Sequence, residues 1–373
     1  MRPTIRPTCA RIDLTAVRSN YRKLAGLMGD SVRLFAAVKG DAYGHGACEV
    51  ARALEQEGCE DFGVALVEEG RALREAGVRG RILCLGGAHT GPEEALESNL
   101  TPVLFDLESA KRFDALGRAR GEPVKVHLKV DTGMGRLGVL LSDWPAFLDR
   151  FADLSHVRVE GIMTHFSDAD DVEDHFTVEQ NRRFEEALEM ARARAFHPSV
   201  VHAANSAAAM KFPHLRHSMV RMGLSLYGIP PFSECPVKLD PVMRVTTEVL
   251  MVKNIPSNYG LSYSRSWRSQ RPSRIATLPV GYADGYLRSL SNRGLVGING
   301  QRCPVRGAVC MDMMMVDVTD CAERVRVGDE VELVGGLIGA AELASWAGTI
   351  PYEILTGWSG RVPRNFQGSA KTA

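Results

Sequence analysis

Over its first two thirds the chain alternates short apolar runs with longer amphipathic stretches. RLFAAVK (33–39) precedes HGACEVARALEQEG, DFGVALV (61–67) precedes EEGRALREAG, and RILCLGG (81–87) precedes GPEEALESN. TPVLF, VKVHLKV, VRVEGIMTHF, SVVHAAN and HSMVRMGLSLYG continue the series to residue 228, most of them separated by helix-patterned segments. Runs of this length that are apolar throughout suit strands buried on both faces of a parallel sheet. Eight such units over roughly 200 residues predict an α/β fold, a TIM-like (β/α)8 barrel, with an open doubly wound sheet as runner-up. Ahead of them, Asp13 or Thr15 can cap a first helix, LTAVRSNYRKLAGLM, that ends on Gly29.

The texture changes after the Pro-rich stretch IPPFSECPVKLDP (229–241). TTEVLMVKNI, SRIATLPVGYADG, GLVGING, CPVRGAVC, MMMVDVT and DEVELVG read as strands separated by turn signals, ING at 298–300 as a tight hairpin turn, and AAELASWAG as one late helix. The division expected is a barrel over 1–240 and a C-terminal mainly β domain over 241–373, with residues 1–12 as candidates to pair with the latter.

Composition narrows the setting. Lys+Arg and Asp+Glu both total 45, so the formal net charge is zero, and nothing global attracts nucleic acid or an anionic membrane. Eight scattered cysteines without a CxxC read as reduced thiols. No signal-peptide pattern stands at residues 1–20 and no run approaches the roughly 20 apolar residues that span a bilayer. The expectation is a soluble cytoplasmic protein.

Candidate chemistry gathers at the ends of the apolar runs, where barrel enzymes build their sites. Lys39 ends the first run; a partly desolvated amine there has a lowered pKa and suits Schiff-base chemistry, although a strand-end lysine can also simply snorkel to water. His165 ends the sixth run, Asn205 and Ser206 the seventh, and Arg221 and Gly223 lie in the eighth. Small and polar residues at the last two strands suit the phosphate site common in such barrels.

These segments, VKGDAYGHG around Lys39, LKVDTGMGRLG around Arg136, HAANSAA around Ser206, RMGLSLYG, YGLSY ending on Tyr263, VGYADGY, GAVCMDMMMVDVT and PYEILTG with RVPR, resemble alanine racemases of the pyridoxal-phosphate-dependent barrel family across nearly the whole chain. The resemblance implies an isomerase interconverting L- and D-alanine, supplying D-alanine for peptidoglycan or serving alanine breakdown. It implies that Lys39 carries pyridoxal 5'-phosphate and acts as one of two acid/base groups, with Tyr263 from a partner chain as the other. Tyr43, Ser206, Tyr352 and the backbone of Gly223 and Leu224 would hold the phosphate, with His165 and Asn205 beside the cofactor and Arg221 facing the pyridine nitrogen. Arg136 and the partner chain's Met311 backbone would receive the substrate carboxylate, Tyr282 with Tyr352 would narrow the pocket, and Lys129 would be carbamylated to hold Arg136. The implied assembly is a homodimer with shared sites. The chemistry agrees: two opposite faces of a planar carbanion call for two bases, and a guanidinium cannot accept a ring proton. Tyr263 taken without the resemblance reads rather as a cross-strand aromatic in a β domain.

Two further patterns carry less. Gly133, Gly135 and Gly138 form a GxGxxG, but Asp131-Thr132 separate it from the strand, so a dinucleotide site lacks its context. His165, Asp168, Asp170, Asp171 and His175 read as an acidic helix start rather than metal ligands, and no metal is assigned. Gly40, next to Lys39, stands where the family commonly has Ala, Asn258 where Ser is frequent, and GWSGRVPRNF is an unusual ending. The competing readings are a broader-specificity amino-acid racemase, a decarboxylase on the same barrel, a single-barrel vitamin B6-binding protein, and an NAD oxidoreductase.

Overall fold

The computed structural model describes residues 6–171 and 175–368. Its first strand, β1 (Cys9–Asp13), runs into α1 (Leu14–Met28), whose cap is Asp13: the carboxylate accepts from Thr15 N–H and Ala16 N–H, and Gly29 closes the helix at φ 78°. The barrel follows as β2 (Arg33–Ala37), β3 (Asp61–Val64), β4 (Arg81–Cys84), β5 (Thr101–Leu104), β6 (Val124–Asp131), the two-residue β7 (Val139–Leu140), β8 (Val157–Met163), β9 (Val200–His202) and β10 (Met219–Met222). Every one of the eight apolar runs contains one of these strands. The order β10-β2-β3-β4-β5-β6-β8-β9 is parallel throughout. Ser218 N–H donates to Val201 O and Arg221 N–H to Ala204 O, which joins the last two strands and rounds the sheet into a barrel. The doubly wound alternative is thereby set aside. Both faces of these strands are buried, which is why their runs are apolar rather than alternating.

The C-terminal region is mainly β. β11 (Met243–Glu248) enters a six-stranded sheet with β16 (Leu295–Ile298), β17 (Gln301–Pro304), β19 (Glu330–Val334) and β20 (Arg364–Gln367), while β12 (Met251–Ile255), β15 (Ser273–Leu278) and β18 (Met314–Asp317) form a second sheet; β13 (Gly260–Leu261) and β14 (Trp267–Arg268) make a small ribbon. β1 belongs to the six-stranded sheet, antiparallel to β11 and parallel to β20. Asn299 and Gly300 both adopt positive φ, as the two-residue turn between β16 and β17 requires. Two corrections apply. TTEVLMVKNI is two strands in different sheets, and a second late helix, Pro351–Thr356, follows Ala340–Ala347. All eight cysteines are free. Among the described residues no helix is long and apolar enough to cross a membrane.

Candidate active site

Immediately after β2 the backbone turns the wrong way. Gly40, Asp41, Ala42 and Tyr43 all lie near φ 53–62° and ψ 39–50°, one turn of left-handed helix. Each L-residue there costs about 1–2 kcal/mol, so the surroundings must impose it. Gly40 N–H donates to Glu69 Oε1 (2.7 Å), Ala47 N–H to Asp41 Oδ1 (2.8 Å), and His45 Nδ1 to the carbonyls of Ala42 (2.9 Å) and Tyr43 (3.0 Å). The Tyr43 ring packs against Tyr227 at 5.0 Å and Tyr352 at 5.7 Å between centroids. A Cβ on Gly44 would stand 2.2 Å from Leu355 O, so the late helix Pro351–Thr356 lies directly on the turn.

That turn points Lys39 into a cationic mouth. Burial first, then Arg136 and Arg221, hold the Lys39 amine below its ordinary pKa, with Glu69 opposing. Lys129, buried on β6, is brought to about 8 by burial, Arg221 and Arg136, against Asp131. Asp131 spends one oxygen on the N–H groups of Gly133 and Gly135 (2.9 and 3.2 Å). Positive charge exceeds negative at this mouth, which suits an anionic ligand.

Arg221 is held from inside the barrel. Its Nη1 donates to His202 Nδ1 (3.0 Å) and His202 O (3.1 Å); its Nη2 donates to Thr164 O (2.8 Å), Ala203 O (2.7 Å) and His165 Nδ1 (2.9 Å). Among the described residues its Nε–H takes no acceptor. Nearby, Gly223 N–H donates to Ser206 Oγ (3.0 Å), Leu224 follows it, and Asn205 Oδ1 caps the short helix Ser206–Lys211 through Ala208 N–H (3.0 Å). A Cβ on Gly223 would meet Tyr43 Oη at 2.8 Å, so a hydroxyl, a hydroxymethyl and bare backbone converge on one small cradle.

Lys39, Tyr43, Lys129, Arg136, His165, Asn205, Ser206, Arg221, Gly223, Leu224 and Tyr352 therefore share the barrel mouth. Tyr263, Tyr282 and Met311 do not. They lie on the β region, Tyr263 70% and Met311 52% exposed, and the Tyr282 and Met311 segments are joined through Tyr282 N–H to Cys310 O and Ala283 N–H to Met311 O, both 3.0 Å. Among the described residues, the groups that act on the Lys39 amine are Arg136, Arg221 and Glu69 rather than Tyr263. The glycine-rich segment opens no helix; Gly133 and Gly138 have φ near 139° and 131°, and Gly138 packs on the Asp131 backbone. Residues 172–174 of the acidic run lie outside the described residues, and among the described residues no three His, Cys, Asp or Glu side chains converge as metal ligands. Sequence reasoning missed His45, His127, His202 and Tyr227. The one available signal was a histidine inside an otherwise apolar strand, in VKVHLKV and in SVVHAAN.

A desolvated lysine amine, a spare guanidinium N–H and an anion cradle at the mouth of a (β/α)8 barrel with a mainly β companion define the class of cofactor-dependent barrel enzymes. Residues 12–231 match the family described as alanine racemase, N-terminal domain, and 242–366 the alanine racemase C-terminal domain. An alanine racemase of Symbiobacterium thermophilum is 46% identical, with 98% of each chain covered, and one of Geobacter sulfurreducens is 43% identical, covering 96% of this chain and 97% of that one. The structure of the Bacillus anthracis alanine racemase with bound L-Ala-P superposes at TM-score 0.90 with 34% identity, covering 99% of this chain and 97% of that one. The Bartonella henselae alanine racemase with covalently bound pyridoxal phosphate superposes at 0.89 with 31% identity, covering 97% and 99%. The chain belongs to the alanine racemase family.

Proposed function

We propose that the chain racemises alanine with pyridoxal 5'-phosphate held at Lys39, as a cytoplasmic homodimer whose D-alanine serves peptidoglycan synthesis or alanine breakdown. The observation carrying this reading is the Lys39 amine, desolvated and held below its ordinary pKa beside Arg136 and Arg221. The residues fit the cofactor: Tyr43 Oη, Ser206 and the backbone of Gly223 and Leu224 offer a phosphate cradle too tight for a Cβ, with Tyr352, His165 and Asn205 around it. When bound, the cofactor supplies an electron sink for charge developing at the substrate Cα. Lys39 exchanges a proton with Cα on one face, and Tyr263 from the second copy does so on the other. Arg221 would face the pyridine nitrogen and, having no acceptor of its own, could not take that ring's proton. Arg136 and the second copy's Met311 backbone bind the substrate carboxylate. Lys129, with a pKa of about 8, is partly neutral at physiological pH. Its nitrogen bonds to the carbon of CO2 and releases a proton, and the resulting carbamate anion pairs with Arg136. Tyr282 and Tyr352 narrow the pocket, favouring alanine; one small group of misfit discriminates by only about 1–3 kcal/mol, so serine turns over slowly.

Lys39→Ala is expected to abolish racemisation and the borohydride-bleachable visible absorbance. A variant retaining a borohydride-reducible adduct on the protein would overturn the assignment.

A further inference from the structure

We infer that His127 is a positioning residue for Arg221, acting through His202 in a hydrogen-bond chain that admits a single proton arrangement. Its consequence at the cofactor ring rests on the function proposed above; the arrangement itself does not.

The chain begins with strand geometry. His127 and Lys129 share parity on β6 and so point to the same side of the sheet. Opposite them β8 carries a bulge: Val126 pairs with Val159 but His127 pairs with Gly161, leaving Glu160 as the extra residue. A Cβ on Gly161 would lie 2.5 Å from both Nδ1 and Cε1 of His127. Gly161 is not among the positive-φ residues, so glycine is needed there for room alone. The imidazole lies close against bare backbone.

His127 Nδ1 and His202 Nε2 are 2.8 Å apart, and His202 Nδ1 is 3.0 Å from Arg221 Nη1. A guanidinium only donates, so His202 Nδ1 must accept. A neutral His202 then carries its proton on Nε2 and donates to His127 Nδ1. His127 in turn carries its proton on Nε2, which faces Glu160 Oε2 at 4.0 Å. Glu160 is also 3.5 Å from Lys125 Nζ. Protonating either ring would set two donors face to face. Both rings are buried, and burial together with the Arg221 and Arg33 cations keeps them neutral. The acceptor at His127 thus satisfies the proton that Arg221 leaves on His202 Nε2, and His202 Nδ1 in turn holds Arg221 Nη1, leaving Nε–H as the guanidinium donor without an acceptor among the described residues. Without that acceptor the His202 Nε2–H is orphaned in the barrel. The alternative tautomer then competes, with Nδ1–H opposing Nη1–H.

Long-range 1H–15N correlation spectra of the 15N-histidine-labelled holoenzyme read the tautomers directly, with His127→Asn and His202→Asn giving the assignments. The expected result is protonated Nε2 and bare Nδ1 on both rings; a proton on Nδ1 of either, or a cationic ring, would overturn the proposal. In a second arm, His127→Asn keeps an acceptor near the Nδ1 position while His127→Leu removes it. His127→Leu is expected to lower kcat about tenfold with little change in the KM for alanine, and to shift the 15N resonance of the bound cofactor's pyridine nitrogen. His127→Asn should retain most of both. Equal losses in the two variants, or none in His127→Leu, would refute the positioning role. The tautomers are read independently of Lys39, so failure of the cofactor assignment would show separately.

Discussion

A methyl group added at Gly223 would stand 2.8 Å from the Tyr43 hydroxyl. Tyr43 is boxed in by Tyr227 and Tyr352 and held in a left-handed backbone, so the backbone of Gly223 itself must give way. Gly223→Ala is expected to weaken pyridoxal phosphate affinity about tenfold, since a displaced N–H forfeits about 1–2 kcal/mol of charge-assisted hydrogen bonding. Equilibrium dialysis checks this; wild-type affinity would show that the cradle lies elsewhere. Lys39, His165, Asn205, Ser206 and Arg221 were legible because they stand in or at the ends of apolar runs, where a polar side chain breaks the pattern, whereas Tyr43, Lys129, Arg136 and Tyr352 were legible only through the family resemblance. His127 and His202 were not singled out because their only signal was a single polar residue inside an apolar strand, which has no period to give it weight. Gly40 illustrates a different limit. It could be read as a departure beside Lys39, but its φ of 62° follows from a left-handed turn that no local pattern announces.

The loop between β15 and β16 is anchored by one carboxylate. Asp284 is fully buried and accepts from Arg6 Nη1 (2.7 Å) and Gly281 N–H (3.0 Å), with Arg361 Nε 3.2 Å away. It thereby fastens the segment before β1 to the segment before β20. Removing one partner of a buried pair costs about 3–5 kcal/mol, but both arginines here are partly exposed and can rehydrate. Asp284→Ala is therefore expected to cost about 2–3 kcal/mol, read as a lower urea midpoint; a change under about 1 kcal/mol would show the anchor to be dispensable. The barrel strands were readable as elements because burial on both faces produces unbroken apolar runs. The β region was less so. Its strands pair with distant segments, and the break at Val249-Leu250, where the chain passes between sheets, resembles strand interior in sequence. The helix Pro351–Thr356 is too short to show a helical period, and Pro351 at its first position was the only signal.

At the scale of the molecule, Lys39 sits in the barrel mouth while Tyr263, Met311 and Tyr282 lie exposed on the β region. If two copies complete each other's sites, Lys39→Ala and Tyr263→Ala are each inactive as homodimers, yet their mixed dimer pairs one intact Lys39 with one intact Tyr263. Purified, differentially tagged heterodimers should recover up to one working site per dimer; no recovery would mean that each site is built within one chain. Acid stability is a second whole-molecule property. Burial lowers the pKa of His45 to about 4 and that of His127 to about 3, against about 6.5 in the unfolded chain. The unfolded state therefore binds these protons first as pH falls. The stabilisation is complete above pH 6.5 and is lost as pH drops through 6.5 toward 4 and 3. By pH 5 the loss is about 2 kcal/mol per ring. Urea midpoints at pH 7.5 and pH 5 measure it, and equal midpoints would mean that these rings are not held neutral.

The position of β1 has a consequence in time. Its two edges pair only with β11 and β20, Cys9 with Thr246 and Ala10 with Arg364. At about 5–20 residues per second, Thr246 leaves the ribosome on the order of ten to fifty seconds after Cys9, and Arg364 later still. Through that interval the barrel ladder can form, since among the described residues β2 to β10 pair with no strand beyond Met222, while the strand ahead of them waits with both backbone edges bare. A nascent chain stalled after the barrel would display that unpaired strand to chaperones and proteases, and only a chain translated through β20 would hide it.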